Sequence, residues 1–337
     1  MVRRLLTTSV RCVRRESTHD WNMNGTHYLI RFGGYVDADK YRYVYFVILL
    51  ILYVVIICCN CTIICLIWIH RNLHEPMYIF IAALSLNSIF FSTAIYPKLI
   101  VDVLSHRQSV SHAACMLQYL IFYSLVGSDF LLLAAMAYDR YVSICKPLHY
   151  TSVMSTTNVT IFLVLAWGLP ACHVLVATVI SAKQKMCHFM LAGVFCNNSI
   201  QKLFCVKPMF LTVWGLFVLT NITIIPVLFI LFTYIKIFML AYRSCGKVRK
   251  KATETCLPHL MVLISFSCLC GFDVIIARLE SDLSKPVRLI MTLQIVVYNP
   301  LFNPIIYGVK MKEIWKHIKR LLLLFGRYTV RQMSLSK

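Results

Sequence analysis

Seven apolar runs, spread along almost the whole chain, leave little choice of solvent. They cover about residues 44–69, 77–97, 113–141, 157–180, 208–240, 255–277 and 286–308. Each is long enough to cross a hydrocarbon core of about 30 Å at about 1.5 Å per residue. A soluble core cannot absorb runs of this length repeated along a chain, whereas a bilayer requires them. Charged residues make up 14% of the sequence, against about 25% in ordinary soluble proteins. Within lipid a span must satisfy its own backbone hydrogen bonds, so the runs predict helices. The third and fifth are too long for a perpendicular span and should tilt or project. The predicted fold class is an all-α membrane protein, a seven-transmembrane helix bundle.

Orientation follows from basic residues near the span ends. Arg243, Lys247, Arg249, Lys250 and Lys251 lie between spans five and six, and Lys310, Lys312, Lys316, Lys319, Arg320 and Arg327 follow span seven. Both groups lie on one side, assigned to the cytoplasm, which puts the N-terminus outside. Sequons at Asn24 and Asn197 then fall on the outer side and are glycosylation candidates. Those at Asn60, Asn158 and Asn221 fall inside spans. The net charge of +21 is thus an orientation signal. It does not indicate nucleic-acid binding, because the basic residues sit in short loops and tails.

The predicted organisation has four parts. Residues 1–22 hold five arginines and no apolar stretch, so they are no signal peptide. They read as an upstream extension or a disordered segment, with Met23 as the expected start of the mature chain. Residues 23–43 form an extracellular tail, 44–308 the seven-helix domain, and 309–337 an amphipathic helix and cytoplasmic tail. In that last part Met311, Ile314, Trp315, Ile318, Leu321 and Leu322 recur at helical spacing, with Lys310, Lys312, Lys316, Lys319 and Arg320 opposite. This pattern fits a helix lying on an anionic membrane surface.

Most of the fifteen cysteines lie within spans. Cys58, Cys59, Cys61, Cys65, Cys172, Cys268 and Cys270 read as small apolar packing residues. Cys115, Cys187, Cys196 and Cys205 all fall on the outer, oxidising side. Four cysteines allow three connectivities. Among the other residues there is no GxSxG, HExxH or phosphate-cradling loop, and no spacing that marks a metal site. The sequence therefore offers no enzyme chemistry. A transporter or channel is the alternative class, but internal repeats of the kind common in transporters are absent.

Several motifs together carry a family resemblance. "MAYDRYVSICKPLHY" closes span three, "NLHEPMYIFIAALSLN" opens span two, "KATETCLPHL" opens span six, and "NPLFNPIIY" closes span seven. Asn60, Trp167, Pro226 and Tyr234 match single positions on spans one, four and five. In this order and spacing the set resembles the odorant receptors among rhodopsin-like G-protein-coupled receptors, over about residues 24–325. "YPKLIVDVLS" and "NLHEPMYIF" look most like the fish-type members.

The resemblance implies a small-molecule odorant as ligand and a heterotrimeric G protein of the stimulatory, olfactory type as partner, raising cAMP. The implied location is the plasma membrane of olfactory cilia. It implies the disulfides Cys115–Cys196 and Cys187–Cys205. Coupling and activation are implied for Asp139, Arg140, Tyr141, Tyr234, His259, Asn303, Pro304 and Tyr307. By family position the pocket candidates are Phe122, Tyr123, Val126, Gly127, Val218, Ile222, Cys270 and Val274. An amine ligand is disfavoured, because amine receptors carry an aspartate where this chain has Phe122. Lys98, Asp273 and Arg278 near the outer ends are candidates for contact with a polar odorant.

Two departures from the wider receptor family stand out. The start of span six is basic (Arg249, Lys250, Lys251), where many relatives outside the odorant group carry an acid that locks the arginine. The closed state is then expected to rest on packing around His259 and Tyr307. The central acid has also changed helices. Span two has Ser88, and span three has Asp129, about three turns above Arg140. An intramembrane carboxylate is costly and usually functional. Asp129 is expected to be a sodium- or proton-linked switch facing Ser88 and Asn299, with no other cofactor implied.

Overall fold

The computed structural model describes residues 29–35, 38–206, 208–243, 256–257, 260–268, 270–271, 284–311, 313–320 and 323. The expectations for residues 1–22, Met23, Asn24, Arg249, Lys250, Lys251, His259, Asp273, Val274, Arg278, Leu321 and Leu322 lie outside them.

Helix α1 is Ala38–Ile69, α2 Pro76–Leu104, α3 His112–Cys145 and α4 Thr156–Ala182. Helix α5 runs from Met209 to Arg243, α6 includes residues 260–268, α7 is Lys285–Lys310, and α8 spans 313–320. Among the described residues, five helices, α1 to α5, are long and apolar enough to cross a membrane. Their outer faces leave Ile51, Val164 and Phe232 about half exposed, which water would penalise and lipid does not. The chain is a multi-pass membrane protein.

Local chemistry sets the ends of these helices. Pro76 opens α2, where a backbone N–H is not needed. Ser111 caps α3 by accepting from Ala114 N at 3.3 Å, and Ser155 caps α4 by accepting from Asn158 N at 3.4 Å. Helix α3 stops at Cys145 because Lys146 precedes Pro147, which drives Lys146 out of the helical region (φ −136°, ψ 54°). At 34 residues, α3 is about 51 Å long, beyond the bilayer core as expected. Helix α5 widens into a π-turn at Leu219–Ile224, just before Pro226. The wider turn makes room for a proline ring that would clash with the carbonyl one turn back.

Span two corrects the predicted boundary. The apolar run stops at Pro97, but α2 continues through it to Leu104. Lys98 pairs with Asp102 one turn later and also donates to Ser109 O at 2.8 Å, which holds the extra turn together. Lys98 is therefore engaged within the fold.

The core has two main layers. At the Arg140 end, Met77, Leu133, Met136, Ile237, Phe266 and Tyr307 pack from α2, α3, α5, α6 and α7. Toward the opposite end, Ile56, Phe91, Tyr96, Leu99, Phe122 and Val296 form the second layer. The cysteines correct another expectation. Cys58, Cys61, Cys65, Cys172 and Cys268 are exposed on the bundle surface, and Cys59 and Cys270 are half-buried. Cys256 is buried. A thiol on a lipid-facing surface costs little, so apolar composition did not reveal which face these residues take.

The end opposite Arg140 is roofed by a small sheet that the sequence did not signal. Strand β1 (Leu29–Phe32) lies between β2 (Ser109–Ser111) and β3 (Met190–Leu191). It runs antiparallel to β2, with Ile30 opposite Val110, and parallel to β3, with Phe32 opposite Leu191. Ile30 and Phe32 point inward and are buried, while Leu29 and Arg31 point outward. Just beyond, Gly34 N donates to Gly193 O at 3.2 Å, and a side chain at Gly34 would fall 2.7 Å from the Gly193 carbonyl carbon. Glycine is required where two backbones approach this closely.

Candidate functional site

Three clusters lie along α3. Below the roof, Cys115 is bonded to Cys196 and Cys187 to Cys205. The first bridge ties the loop between α4 and α5 to the start of α3. Gln118 reinforces it by accepting from Cys196 N at 3.0 Å, and the Tyr123 hydroxyl accepts from Asn198 N at 2.9 Å. The tethered loop lowers Phe195 into the bundle, where its ring centroid is 5.0 Å from that of Phe122. Phe122 in turn lies 5.3 Å from Phe91. Phe122 and Tyr123 thus meet the loop directly, and Val126 is half-buried just below.

The other pocket candidates are distributed differently. Gly127 is a helix-packing position, which corrects its assignment to the pocket. A Cβ there would sit 2.8 Å from Pro170 Cβ and 2.9 Å from Ile222 Cγ2. Ile222 is buried by the same contact, Val218 is half-buried, and Cys270 packs against the layer at the Arg140 end.

The sequon residue Asn197 lies in the same loop. Its side chain is buried, and its Oδ1 accepts from Ser199 N at 3.1 Å to start a helical turn.

The middle cluster is built on Asp129, which is 2% exposed. Asn87 Nδ2 donates to Asp129 Oδ1 at 2.8 Å and to Leu125 O at 2.9 Å. Trp167 Nε1 donates to Asn87 Oδ1 at 3.1 Å, and Asn299 Nδ2 donates to Asp129 Oδ2. One carboxylate thereby ties together α2, α3, α4 and α7. The predicted partner Ser88 is not among its contacts, because its hydroxyl turns back to Leu84 O at 3.0 Å. Adjacent residues on a helix point about 100° apart, and the neighbour Asn87 is the one aimed at α3. A sodium ion wants oxygen ligands, and here both carboxylate oxygens meet amide N–H groups. As arranged, the donor set does not fit the ion.

Nearby, α7 carries Pro300 and Pro304. Pro304 has no N–H to give the carbonyl of Pro300, four residues back. Asn60 on α1 supplies the missing donor, with Nδ2 2.9 Å from Pro300 O. Asn303 is buried beside this break, and its Nδ2 has no partner among the described residues.

At the far end of α3, Arg140 folds onto its neighbour. Its Nε and Nη2 donate to Asp139 Oδ2 at 3.0 and 2.6 Å. Asp139 is fully buried, and its other oxygen accepts from the Tyr150 hydroxyl at 2.9 Å. Burial, followed by the charge and hydrogen bond of Asp139, pushes the Tyr150 phenol above its ordinary range, so it stays a donor. Tyr234 and Tyr307 are buried just inside, and Tyr141 is half-buried against the same layer.

Helix α8 packs where the tail pattern predicts, with Met311 and Ile314 buried. Its other anchor was missed. His317 is buried, lies 3.6 Å ring to ring from His70 and approaches Asn72 at 3.5 Å. Burial and then the neighbouring His70 lower its basicity. Sequence reasoning also passed over Asn87, Gln118, Tyr150 and Phe195. Asn87 and Gln118 carried a signal, each as the lone amide in its apolar span.

A family model described as olfactory receptor matches residues 49–324. Olfactory receptor 11A1 of Homo sapiens is 34% identical over 303 residues, covering 86% of this chain and 92% of its own. Olfactory receptor 1P1 of Homo sapiens is 31% identical, covering 86% and 88%. Olfactory receptor 1496 of Rattus norvegicus is 28% identical, covering 89% and 98%.

Proposed function

The chain belongs to the olfactory receptor family, and from that premise we propose how this particular bundle couples an odorant to a G protein. It is a receptor and not an enzyme. We read residues 44–308 as the receptor domain, 23–43 as an extracellular tail and 309–337 as a cytoplasmic helix and tail. That orientation rests on the basic residues after α5 and α7. A small-molecule odorant enters from the roofed end and meets Phe122, Tyr123 and Val126, with Val218 and Val274 around it.

Binding shifts the population between two bundle states. The cluster at Asp129 is the natural relay, because four helices meet there. Protonation would change what Asp129 can hold. At the other end the active state releases Arg140 from Asp139, which Tyr150 holds in the resting arrangement. Arg140 then joins Tyr141, Tyr234, His259, Asn303, Pro304 and Tyr307 in receiving a G protein of the stimulatory, olfactory type, which raises cAMP. The expected location is the plasma membrane of olfactory cilia. The fish-type character rests on "YPKLIVDVLS" and "NLHEPMYIF".

The ion pair between Arg140 and Asp139, latched by Tyr150, is the observation that carries this reading. A cAMP reporter in cells expressing the chain, screened with water-soluble odorants, tests it. The response should vanish in Arg140→Ala while surface expression is kept. A response that survives that substitution would remove Arg140 from the coupling path.

A further inference from the structure

The roof carries a charge of one sign. Three of its stretches, residues 29–35, 103–111 and 183–206, hold Arg31, Arg107, Lys183, Lys185 and Lys202 and not one aspartate or glutamate. All five cations are exposed. The acids nearest in sequence to the first two stretches are Asp37, Asp39 and Asp102. Asp102 is buried and paired with Lys98, so it offsets nothing at the surface. Basic residues gather on the cytoplasmic side of a membrane protein. In the proposed orientation these five lie outside, so topology does not account for them.

Backbone pairing sets the cations in a row. Arg31 points outward from the middle strand, opposite Ser109 of β2 and Met190 of β3. Arg107 lies two residues before Ser109. On the other flank Arg31 N donates to Phe189 O at 2.8 Å, and His188 N donates to Leu203 O at 3.1 Å. Lys202 precedes Leu203. Lys185 belongs to the same hairpin, where its O accepts from Cys205 N at 3.0 Å beside the Cys187–Cys205 bridge. The row thus crosses four adjacent segments. At about 4.8 Å per step it spans about 15 Å. The bridge and the sheet hold it in place before any partner arrives.

A small anion would touch one or two of these side chains. An extended polyanion meets all of them together. Lipid headgroups do not supply it, because anionic lipid is concentrated in the cytoplasmic leaflet. We propose that the outer face of the roof binds a sulfated polysaccharide of the cell surface along Arg107, Arg31, Lys202 and Lys185. The choice of partner rests on the proposed orientation, whereas the binding surface rests on the roof alone.

The full chain in lipid nanodiscs exposes both ends, so binding there is independent of orientation. Fluorescent dextran sulfate is the probe, with neutral dextran as the blank. Binding should weaken steeply as salt screens the charges. Arg107→Gln, Lys185→Gln and Lys202→Gln should each weaken it by up to about fivefold, the weight of one basic residue near an anionic surface. The triple variant should lose more than about tenfold on the same scale. Made in a Lys316→Gln, Lys319→Gln background, the triple change should cost the same factor, which separates the roof from the basic residues on α8. Equal binding by wild type and triple variant at matched thermal stability overturns the surface. So does displacement of the probe by benzoate at the same concentration of anionic groups, which would assign the roof to single small anions. Intact cells expressing the chain with an N-terminal epitope tag check the partner. Antibody staining without loss of probe staining in the triple variant overturns the proposal. Antibody staining only after permeabilisation would instead overturn the orientation, and with it the polysaccharide of the cell surface.

Discussion

The position of Asn87 offers a sharp test of how the bundle centre is held. Its side chain makes three hydrogen bonds, to Leu125 O, to Asp129 Oδ1 and from Trp167 Nε1. Asn87→Ala removes all three and strands a buried carboxylate oxygen and a buried indole N–H. Stranded groups cost about 1–3 kcal/mol each in proteins generally. Hydrogen bonds within bilayers measure lower, about 0.6 kcal/mol each on average, since the unfolded chain in lipid also finds partners. Three bonds on that lower scale give about 2 kcal/mol, the expected loss for Asn87→Ala. Ser88→Ala breaks only a bond to its own helix and should cost under about 0.5 kcal/mol, as substitutions away from such networks do. Thermal unfolding of the full chain in lipid nanodiscs would read both. A double-mutant cycle between Asn87→Ala and Asp129→Asn should show coupling, and one between Ser88→Ala and Asp129→Asn should show none. The reverse ordering would refute the described geometry and restore Ser88 as the partner of Asp129.

Three other predictions follow from local geometry. Gly127→Ala places a methyl group about 0.6 Å inside ordinary contact with Pro170 and should cost about 1–3 kcal/mol. It should lower the unfolding temperature without changing odorant preference; a changed preference at full stability would return Gly127 to the pocket. Tyr150→Phe removes one of the bonds on Asp139 and should raise basal cAMP, by less than about tenfold because the phenol is half-buried and its bond falls below the about 1.5 kcal/mol at the low end for a bond to a charge; unchanged basal signal at equal surface expression counts against the latch. Asn197→Gln should leave the glycosidase-sensitive mass of the receptor unchanged, and a lost glycan would show that this loop is modified before it folds.

Much of the fold was legible because lipid imposes a coarse rule. A span must be long and apolar, and α1, α3, α4 and α5 lie within a few residues of the predicted runs, apart from the α1 start at Ala38. What hydropathy cannot report is helix phase. It could not say that Asn87 faces α3 while Ser88 does not, or that Cys58, Cys61 and Cys65 look outward. The end of α2 was misplaced because the Lys98–Asp102 pair extends a helix past its apolar stretch. The motifs marked Asp139 and Arg140, but Tyr150 reaches them only because the chain turns back after Pro147. The sheet was invisible for a simpler reason. Its strands are two to four residues long, and none carries a pattern until the three are brought together.

That sheet also sets an order of events. Its middle strand is made first, and its two neighbours arrive only after α2 and then α4 have been synthesised. Ile30 must wait for Val110, and Phe32 must wait longer for Leu191. The segment can close over the bundle only once Leu191, a little past the middle of the chain, has been made. A receptor that lost this segment would keep its spans but leave β2 and β3 as two bare edges, each with unpaired backbone turned toward whatever strand comes near.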